Sequence, residues 1–310
     1  MSHTSAPQIA VFGSVNMDLV AYVDTAPARG ETVTGTHFSQ IPGGKGANQA
    51  VAAARAGGEA AFLGAVGDDA FGPHLRAALA DSGVDVTGLH TVSGPSGVAH
   101  IVVENDGSNS IIVIPGANGT VTGLREGDTA LIAGSDALLL QFELPMAGVV
   151  AAATAARAAG VPTVLTPAPA RQPPEELWEA VDVIVPNQHE AAAITGESDP
   201  RSALAALLRR VPEAVITLGE EGALHGSREQ RPIHVPAAQV RAVDTTAAGD
   251  TFCGAFAVAR AEGAAVEEAL RFATAAALLA VGREGASTSM PTRGEIEAAL
   301  ASSPPGRAVG

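Results

Sequence analysis

The chain has 310 residues, of which 46% are hydrophobic, and a formal net charge of -15. This length allows a large hydrophobic core, and the composition is typical of a soluble globular protein. The acidic balance argues against partners that carry dense negative charge, so neither nucleic acid nor an anionic membrane surface is an expected partner.

No leader with charged, apolar and small-residue parts precedes Ile9, and no apolar run reaches the roughly 18 residues that a membrane span needs. We therefore expect a cytoplasmic protein. Cys253 is the single cysteine. Its place after Phe252 in an apolar helical run predicts packing rather than chemistry.

Short β-rich segments alternate with alanine-rich helical segments along the chain. The predicted buried strands are 9–12, 60–66, 137–140, 161–165, 181–185 and 214–218, and the predicted helices include 47–56, 71–82 and 146–159. This alternation predicts an α/β fold with a mostly parallel central sheet that is covered by helices on both faces. The tail after Ser302 is rich in Pro and Gly, which predicts disorder.

Two segments interrupt this alternation, at approximately 19–40 and 97–115. Both have the pattern of strands without helices, and the second contains a predicted hairpin of strands 98–104 and 110–114 around Asn105-Asp106-Gly107. We expect a single α/β domain, 1–310, that carries these two segments as a small β appendage.

Lys45 is the only lysine of the chain and lies in the sequence Pro-Gly-Gly-Lys-Gly-Ala-Asn-Gln-Ala at 42–50. Glycines on both sides permit a close approach of backbone to a ligand, which favours a binding site over chance placement. The residues after Lys45 are not the Ser or Thr of a Walker A loop, and Gly13-Ser14-Val15-Asn16 lacks the later glycines of a dinucleotide fingerprint. A Rossmann dehydrogenase is therefore not expected.

Residues 244–250 read Asp-Thr-Thr-Ala-Ala-Gly-Asp and precede a buried helical run. The small residues Ala247, Ala248 and Gly249 let backbone N–H groups approach an anion, and a helix that begins there adds the positive end of its dipole. Asp250, in the first turn, brings a carboxylate to the same place. A base beside an anion hole suits phosphoryl transfer to a hydroxyl group, whereas a simple helix cap is the alternative for this aspartate.

Five motifs, in order, resemble those of the ribokinase or pfkB family of carbohydrate kinases, from Gly13 to about Pro291. They are residues 13–18, 43–50, 141–143, 186–190 and 244–252. The resemblance implies ATP-dependent phosphorylation of the primary hydroxyl of a furanose, with D-ribose to ribose 5-phosphate favoured. It also implies that segments 19–40 and 97–115 form a β-lid over the sugar, often shared across a homodimer.

The resemblance further implies a role for each matched residue. Asp250 is the base, and Ala247, Ala248 and Gly249 form the anion hole. The implied sugar contacts, together with Asp250, are Asn16, Met17, Asp18, Gly44, Lys45, Gly46, Ala47, Asn48 and Glu143. The implied contacts for ATP and its Mg²⁺ are Asn187, Glu190, Thr217, Leu218, Gly219, Glu220, Glu221, Gly222, Gly249 and Thr274. The implied K⁺ site consists of Asp244, Thr246, Ala280, Arg283, Gly285 and Ser289.

Particular residues qualify this assignment. Thr274 departs from the Asn or His that the family often has near adenine, and Arg283 is expected to offer only its carbonyl while its side chain makes a surface ion pair. Taken singly, Asn16 or Asp18 could cap a strand-end turn. Glu143 could likewise cap the following helix.

Alternative functions within the family are phosphorylation of deoxyribose, a nucleoside or a fructose phosphate. Only 3% of residues are aromatic, which disfavours stacking on a nucleoside base, and Arg29 is the only cation expected in the lid for a sugar phosphate. A non-catalytic sugar-binding regulator on the same fold is an alternative of a different class. The intact Asp250 and its anion hole argue against it.

Overall fold

The computed structural model describes residues 5–302, and the tail beyond Ser302 that is predicted to be disordered lies outside the described residues. The strands are β1 (Gln8–Phe12), β2 (Asn16–Val23), β3 (His37–Gly43), β4 (Glu59–Gly67), β5 (Leu89–Val92), β6 (Gly97–Glu104), β7 (Asn109–Ile114), β8 (Ala137–Leu140), β9 (Thr163–Leu165), β10 (Val183–Ile184), β11 (Glu213–Thr217), β12 (Ala223–Ser227) and β13 (Ile233–Val235). The helices are α1 (Lys45–Arg55), α2 (Phe71–Asp81), α3 (Asp128–Ala133), α4 (Met146–Ala159), α5 (Glu175–Ala180), α6 (Gln188–Thr195), α7 (Pro200–Leu207), α8 (Ala248–Ala261), α9 (Val266–Val281) and α10 (Arg293–Ser302).

The larger of the two sheets has the strand order β13-β12-β11-β10-β9-β8-β1-β4-β5. Its strands from β11 to β5 pair in parallel, whereas β12 and β13 pair antiparallel at one edge. All six predicted strands lie in the parallel part, which confirms the predicted mostly parallel sheet. The strands β5, β12 and β13 were not predicted, because short segments such as His225-Gly226-Ser227 have no hydrophobic run to mark them.

Helices cover both faces of this sheet, as predicted. Alternate residues of β1 enter different cores: Ile9 and Val11 pack with side chains of α1, α8 and α9, whereas Ala10 and Phe12 pack with those of α4, α5 and α7. A strand whose side chains are buried on both faces must be apolar throughout, and this explains the uninterrupted hydrophobic run of β1.

The second sheet has the order β3-β2-β6-β7 and is built from the two segments that interrupt the α/β alternation. The strands β6 and β7 form the predicted hairpin, and β2 pairs in parallel with β6 across a long stretch of sequence. This smaller sheet joins the larger one at Gly13, Ser14 and Val15, between β1 and β2. Within residues 5–302, no helix combines the length and the apolarity that crossing a membrane requires.

Candidate active site

The sequence motifs converge at the carboxyl ends of the parallel strands. The chain leaves β1 at Gly13, β8 at Gln141, β9 at Thr166 and β11 at Leu218, and each exit lies on this edge because the strands are parallel. This is the edge at which open α/β sheets bind ligands. Motifs that are far apart in sequence therefore come together through the topology of the sheet.

Asp250 lies in the first turn of α8 and is only 6% exposed. Its carboxylate accepts hydrogen bonds from the Gln49 amide at 3.0 Å and the Asn48 amide at 3.3 Å. Burial raises the pKa of Asp250 to about 6, although the ammonium group of Lys45 acts to lower it. A carboxylate with this pKa is ionised at neutral pH and is basic enough to accept a proton from a hydroxyl group.

Lys45 and Glu143 lie near Asp250, and Asp18 lies near Glu143. The attraction of Asp250 raises the pKa of Lys45, against the effect of burial, so the side chain remains an ammonium. Glu143 accepts hydrogen bonds from the Ser14 hydroxyl at 2.5 Å and from the backbone N–H of Lys45 at 3.0 Å. Burial and the neighbouring Glu143 raise the pKa of Asp18 to about 7. Glu143 does not cap the next helix, which begins without a side-chain cap.

The glycines around Lys45 also have a packing role that the sequence alone did not predict. A methyl group at Gly46 would lie 2.6 Å from the Cα of Gly13, and one at Gly44 would lie 2.9 Å from the Ser14 carbonyl oxygen. Gly44 also has a φ of 96°, which favours glycine. These glycines therefore permit close approach of α1 to the turn after β1.

The loop before α8 has the geometry of an anion site. Ala247 has a φ of 58°, a conformation that non-glycine residues adopt rarely and that is common at functional sites. The Ala248 N–H donates to the Thr245 carbonyl at 3.3 Å. The N–H groups of Gly249 and Asp250 follow, in the turn where a helix supplies no backbone acceptor. A methyl group at Gly249 would meet no atom within 4 Å, so the backbone there faces open space.

Two cavities meet at this loop. The larger has a volume of about 620 Å³ and a mostly apolar wall that includes Phe252, Ala277 and Leu278. Thr274 also lines it, and the hydroxyl group of this residue is buried without a hydrogen-bond partner among residues 5–302. The smaller cavity has a volume of about 190 Å³, and the residues that line it include Lys45, Glu190 and Asp250. The residues that line both are Thr217, Thr245, Ala248 and Gly249.

Asn187 and Glu190 line the smaller cavity and also begin a helix. The Asn187 N–H donates to the Glu190 carboxylate at 2.8 Å, and the Glu190 N–H donates to the Asn187 side-chain oxygen at 2.8 Å. Burial raises the pKa of Glu190, although the Asn187 N–H and Lys45 act to lower it. Glu190 therefore both caps the helix and lines the cavity.

The residues of the predicted K⁺ site come from two loops that are held together. Asp244 accepts hydrogen bonds from the Thr246 N–H at 2.9 Å and the Gly285 N–H at 3.0 Å. Partial burial acts to raise the pKa of Asp244, but these hydrogen bonds bring it below its ordinary value. Arg283 pairs with Glu295 at 2.6 Å on the surface, as predicted for its side chain.

The donor groups that these two loops bring together are one carboxylate and several backbone carbonyls. Among the described residues, no cluster of three or more His, Cys, Asp or Glu side chains could hold a metal ion. One carboxylate, that of Asp244, lies beside the backbone carbonyls of 280–289. The carbonyl of Ala280 already accepts the Arg283 N–H at 3.0 Å, and that of Ser289 faces the Arg283 guanidinium at 3.5 Å.

Several predicted site residues have side chains that point elsewhere. Met17 is fully buried in the hydrophobic core, because neighbouring strand residues point to opposite faces and Asn16 and Asp18 take the other one. Ala47 and Leu218 are also core residues. Of the predicted nucleotide loop, Thr217, Gly219, Glu220 and Gly222 line the larger cavity, but Leu218 and Glu221 do not.

Asn48, predicted as a donor to the sugar, also makes a hydrogen bond within the protein. One N–H of its amide donates to Asp250, and its side-chain oxygen has no hydrogen-bond partner among residues 5–302. Asn118, which the sequence analysis missed, donates to the Asn16 side-chain oxygen at 2.8 Å and is paired with the backbone of Val15. No spacing pattern marks Asn118, whereas Gln49 lay inside a recognised motif and could have been found.

Comparisons with known proteins agree with this geometry. The model of the pfkB family carbohydrate kinases matches residues 6–293. A ribokinase of Haemophilus influenzae is 42% identical over 296 residues, which cover 93% of this chain and 96% of that protein. A ribokinase of Bacillus subtilis is 43% identical and covers 94% of this chain and 99% of its own length.

Solved structures show the same similarity. Arabidopsis thaliana ribokinase complexed with ribose and ATP superposes with a TM-score of 0.92 at 35% identity, covering 96% of this chain and all of that chain. Ribokinase from Thermotoga maritima superposes with a TM-score of 0.88 at 38% identity, covering 95% of this chain and 99% of that chain.

Proposed function

The chain belongs to the pfkB family of carbohydrate kinases, and we propose that it transfers the γ-phosphoryl group of ATP to the primary hydroxyl of D-ribose. The observation that carries this proposal is the position of Asp250. Its buried carboxylate lines the smaller cavity, next to the loop 247–249 at which the two cavities meet. The Lys45 ammonium lies close enough to attract it. Near-full-length similarity to ribokinases, one of them solved with ribose and ATP, supports ribose and ATP as the substrates.

Asp250 acts as the general base. It accepts the proton of the ribose hydroxyl as that oxygen attacks the γ-phosphorus. The N–H groups of the loop 247–249, with the N-terminal end of α8, stabilise the charge that develops on the transferred group. Because Asp250 is held by two amide donors, the carboxylate is oriented before the substrate arrives.

The sugar occupies the space among Asn16, Asp18, Lys45, Asn48 and Glu143. Asp18 and Glu143 accept hydrogen bonds from ribose hydroxyls, and Lys45 donates. The Asn16 side-chain oxygen is already engaged by Asn118, which leaves the Asn16 amide N–H group to donate. Segments 19–40 and 97–115 serve as a lid over the sugar within one domain.

The nucleotide occupies the larger cavity. Its apolar wall accommodates adenine, with the unpaired Thr274 hydroxyl as a polar contact for the base. The triphosphate extends past Gly249 into the smaller cavity. There Asn187 and Glu190 would hold Mg²⁺ through water, and the ion, when bound, neutralises charge on the phosphates.

A K⁺ ion would be held by Asp244 and by backbone carbonyls of 280–289, as suits a hard cation of low charge. The hydrogen bond from Gly285 to Asp244 supports this proposal, because it brings the two loops together next to Thr245 and the anion site. A bound cation there would order the loop without taking part in the reaction.

The chain would form a homodimer through its lid, in the cytoplasm where ATP is available. The edge strand β7 is apolar and exposed: Ile111 is 53% and Ile112 is 67% exposed, and Phe38 at the opposite edge of the lid is 55% exposed. An exposed apolar edge strand is suited to cover by a second copy.

An ATP-turnover assay with a panel of pentoses tests the proposed function. We expect kcat/KM for ribose to exceed that for 2-deoxyribose by at least about tenfold, because buried polar groups are left unpaired when a hydroxyl is missing. A preference for 2-deoxyribose would assign the chain to the neighbouring activity. Tight ribose binding without ATP turnover would identify a non-catalytic sugar-binding protein.

A further inference from the structure

The Gln49 side chain lies behind the catalytic aspartate and has no exposed surface. We infer that Gln49, held in one orientation by Gln141, is a positioning residue that fixes the Asp250 carboxylate for proton transfer. This inference rests on the proposed function, because it requires Asp250 to be the base.

Both N–H groups and the oxygen of the Gln49 amide have hydrogen-bond partners. Its N–H₂ group donates to Asp250 Oδ1 at 3.0 Å and to the Thr166 hydroxyl oxygen at 3.2 Å. Its oxygen accepts from the Gln141 amide at 2.7 Å. Thr166 in turn donates to the sulfur of Cys253 at 3.2 Å. A buried side chain with this many fixed partners cannot rotate without leaving a buried polar group unpaired.

The direction of this chain of hydrogen bonds follows from its chemistry. An ionised carboxylate only accepts hydrogen bonds, so the Gln49 N–H₂ group must face Asp250, and its oxygen must face Gln141. Turning the Gln141 amide around would place two carbonyl oxygens against each other. Gln141 therefore donates to Gln49, and Gln49 donates to Asp250.

The backbone is shaped to admit Gln141 to this position. A methyl group at Gly13 would lie 2.2 Å from the Gln141 side-chain oxygen and 2.7 Å from the Cα of Gly46. The absence of a side chain at Gly13 thus makes room for the amide that orients Gln49. Gln49 also lies on α1, the helix that begins with Lys45, so the orienting group and the sugar contacts share one rigid element.

Removing the Gln49 amide should change the ionisation and orientation of Asp250 but leave the other sugar contacts in place. The Gln49 hydrogen bond stabilises the ionised form of Asp250, so its loss should favour the protonated form. The acidic limb of the kcat profile, expected near pH 6, should move upward by about one pH unit in Gln49→Met, a tenfold change in proton affinity. The misoriented carboxylate should lower the pH-independent kcat by roughly 10- to 100-fold, with the ribose Kd within a few-fold.

The test measures pH profiles of kcat, ribose binding and thermal unfolding for wild type, Gln49→Met, Gln141→Leu and Thr163→Val. Gln141→Leu should move the acidic limb in the same direction by a smaller amount, because it frees the Gln49 amide without removing it. Thr163 is the matched control: its hydroxyl is fully buried and donates to the Ala180 carbonyl at 2.7 Å, away from the site. Thr163→Val should lower the unfolding temperature and leave the acidic limb in place.

A Gln49→Met enzyme that binds ribose normally and keeps both the wild-type limb and the wild-type kcat would overturn the inference. So would an equal shift of the limb in Thr163→Val. The double variant with Asp250→Asn should show no further loss from Gln49→Met, and full additivity would contradict action through Asp250. An inactive wild type would instead refute the proposed function.

Discussion

Replacing Asp250 by asparagine should make the folded protein more stable at alkaline pH while it removes the activity. Burial raises the pKa of this carboxyl group from 3.8 to about 6. A group whose pKa is raised on folding favours the folded state below its unfolded pKa, and this contribution is lost as the pH rises through the folded value. Above pH 6 the fold therefore carries the unfavourable ionisation of Asp250.

The size of the effect follows from the same pKa values. The difference between 3.8 and about 6 corresponds to roughly 3 kcal/mol at pH 8 and to about 1 kcal/mol at pH 4.5. The variant amide can be satisfied, because Gln49 still donates to its oxygen and the unpaired oxygen of Asn48 can accept its N–H after an amide flip. Asp250→Asn should thus raise the free energy of unfolding by up to about 3 kcal/mol at pH 8.

Urea unfolding at pH 4.5 and pH 8 measures this difference. Asp244→Asn is the matched control, because the pKa of Asp244 is lowered and the variant should lose stability at the higher pH instead. The kcat of Asp250→Asn should fall by roughly 10²- to 10⁴-fold with ribose binding within a few-fold. If Asp250→Asn gained stability equally at both pH values, or lost stability at pH 8, the conclusion that burial disfavours the ionised Asp250 would be refuted. Near-normal turnover would refute the role as base.

Further predictions concern the cavities, the cation and the lone lysine. Gly249→Ala should keep the wild-type unfolding temperature but raise the KM for ATP at least about tenfold, because the methyl group enters open cavity space, whereas Gly44→Ala should destabilise the fold by more than about 1 kcal/mol. Thr274→Val should leave stability unchanged or increased and raise the KM for ATP a few-fold (roughly one neutral hydrogen bond); an unchanged KM would remove the hydroxyl from the base contact. Replacing a large organic cation with K⁺ at constant ionic strength should raise activity, and Asp244→Ala should blunt that response in initial-rate assays. Amine-selective labelling of Lys45 should require a pH above its ordinary pKa, inactivate the enzyme and be slowed by saturating ribose, as a peptide map would report; full activity after complete modification would exclude Lys45 from the sugar site.

The order of the motifs and the hydrophobic runs were enough to predict the family and the parallel sheet. A strand that is buried on both faces must be apolar where it is buried, and β1 has this signature in the four residues 9–12. Asp250 could also be identified as the candidate base, because small residues, a helix start and a carboxylate follow one another within 244–250. These features are local, and local sequence determines them.

The tertiary structure alone decided which distant groups meet. The parallel pairing of β2 with β6 and the contact of Gln141 with Gln49 join segments that no periodicity connects. The same holds for the role of Gly13, whose missing side chain matters only because Gln141 lies against it. The raised pKa of Asp250 likewise depends on burial by the surrounding fold, since an exposed aspartate has the ordinary value of 3.8. Sequence thus determined the chemical groups that are present, and packing determined their partners and their ionisation.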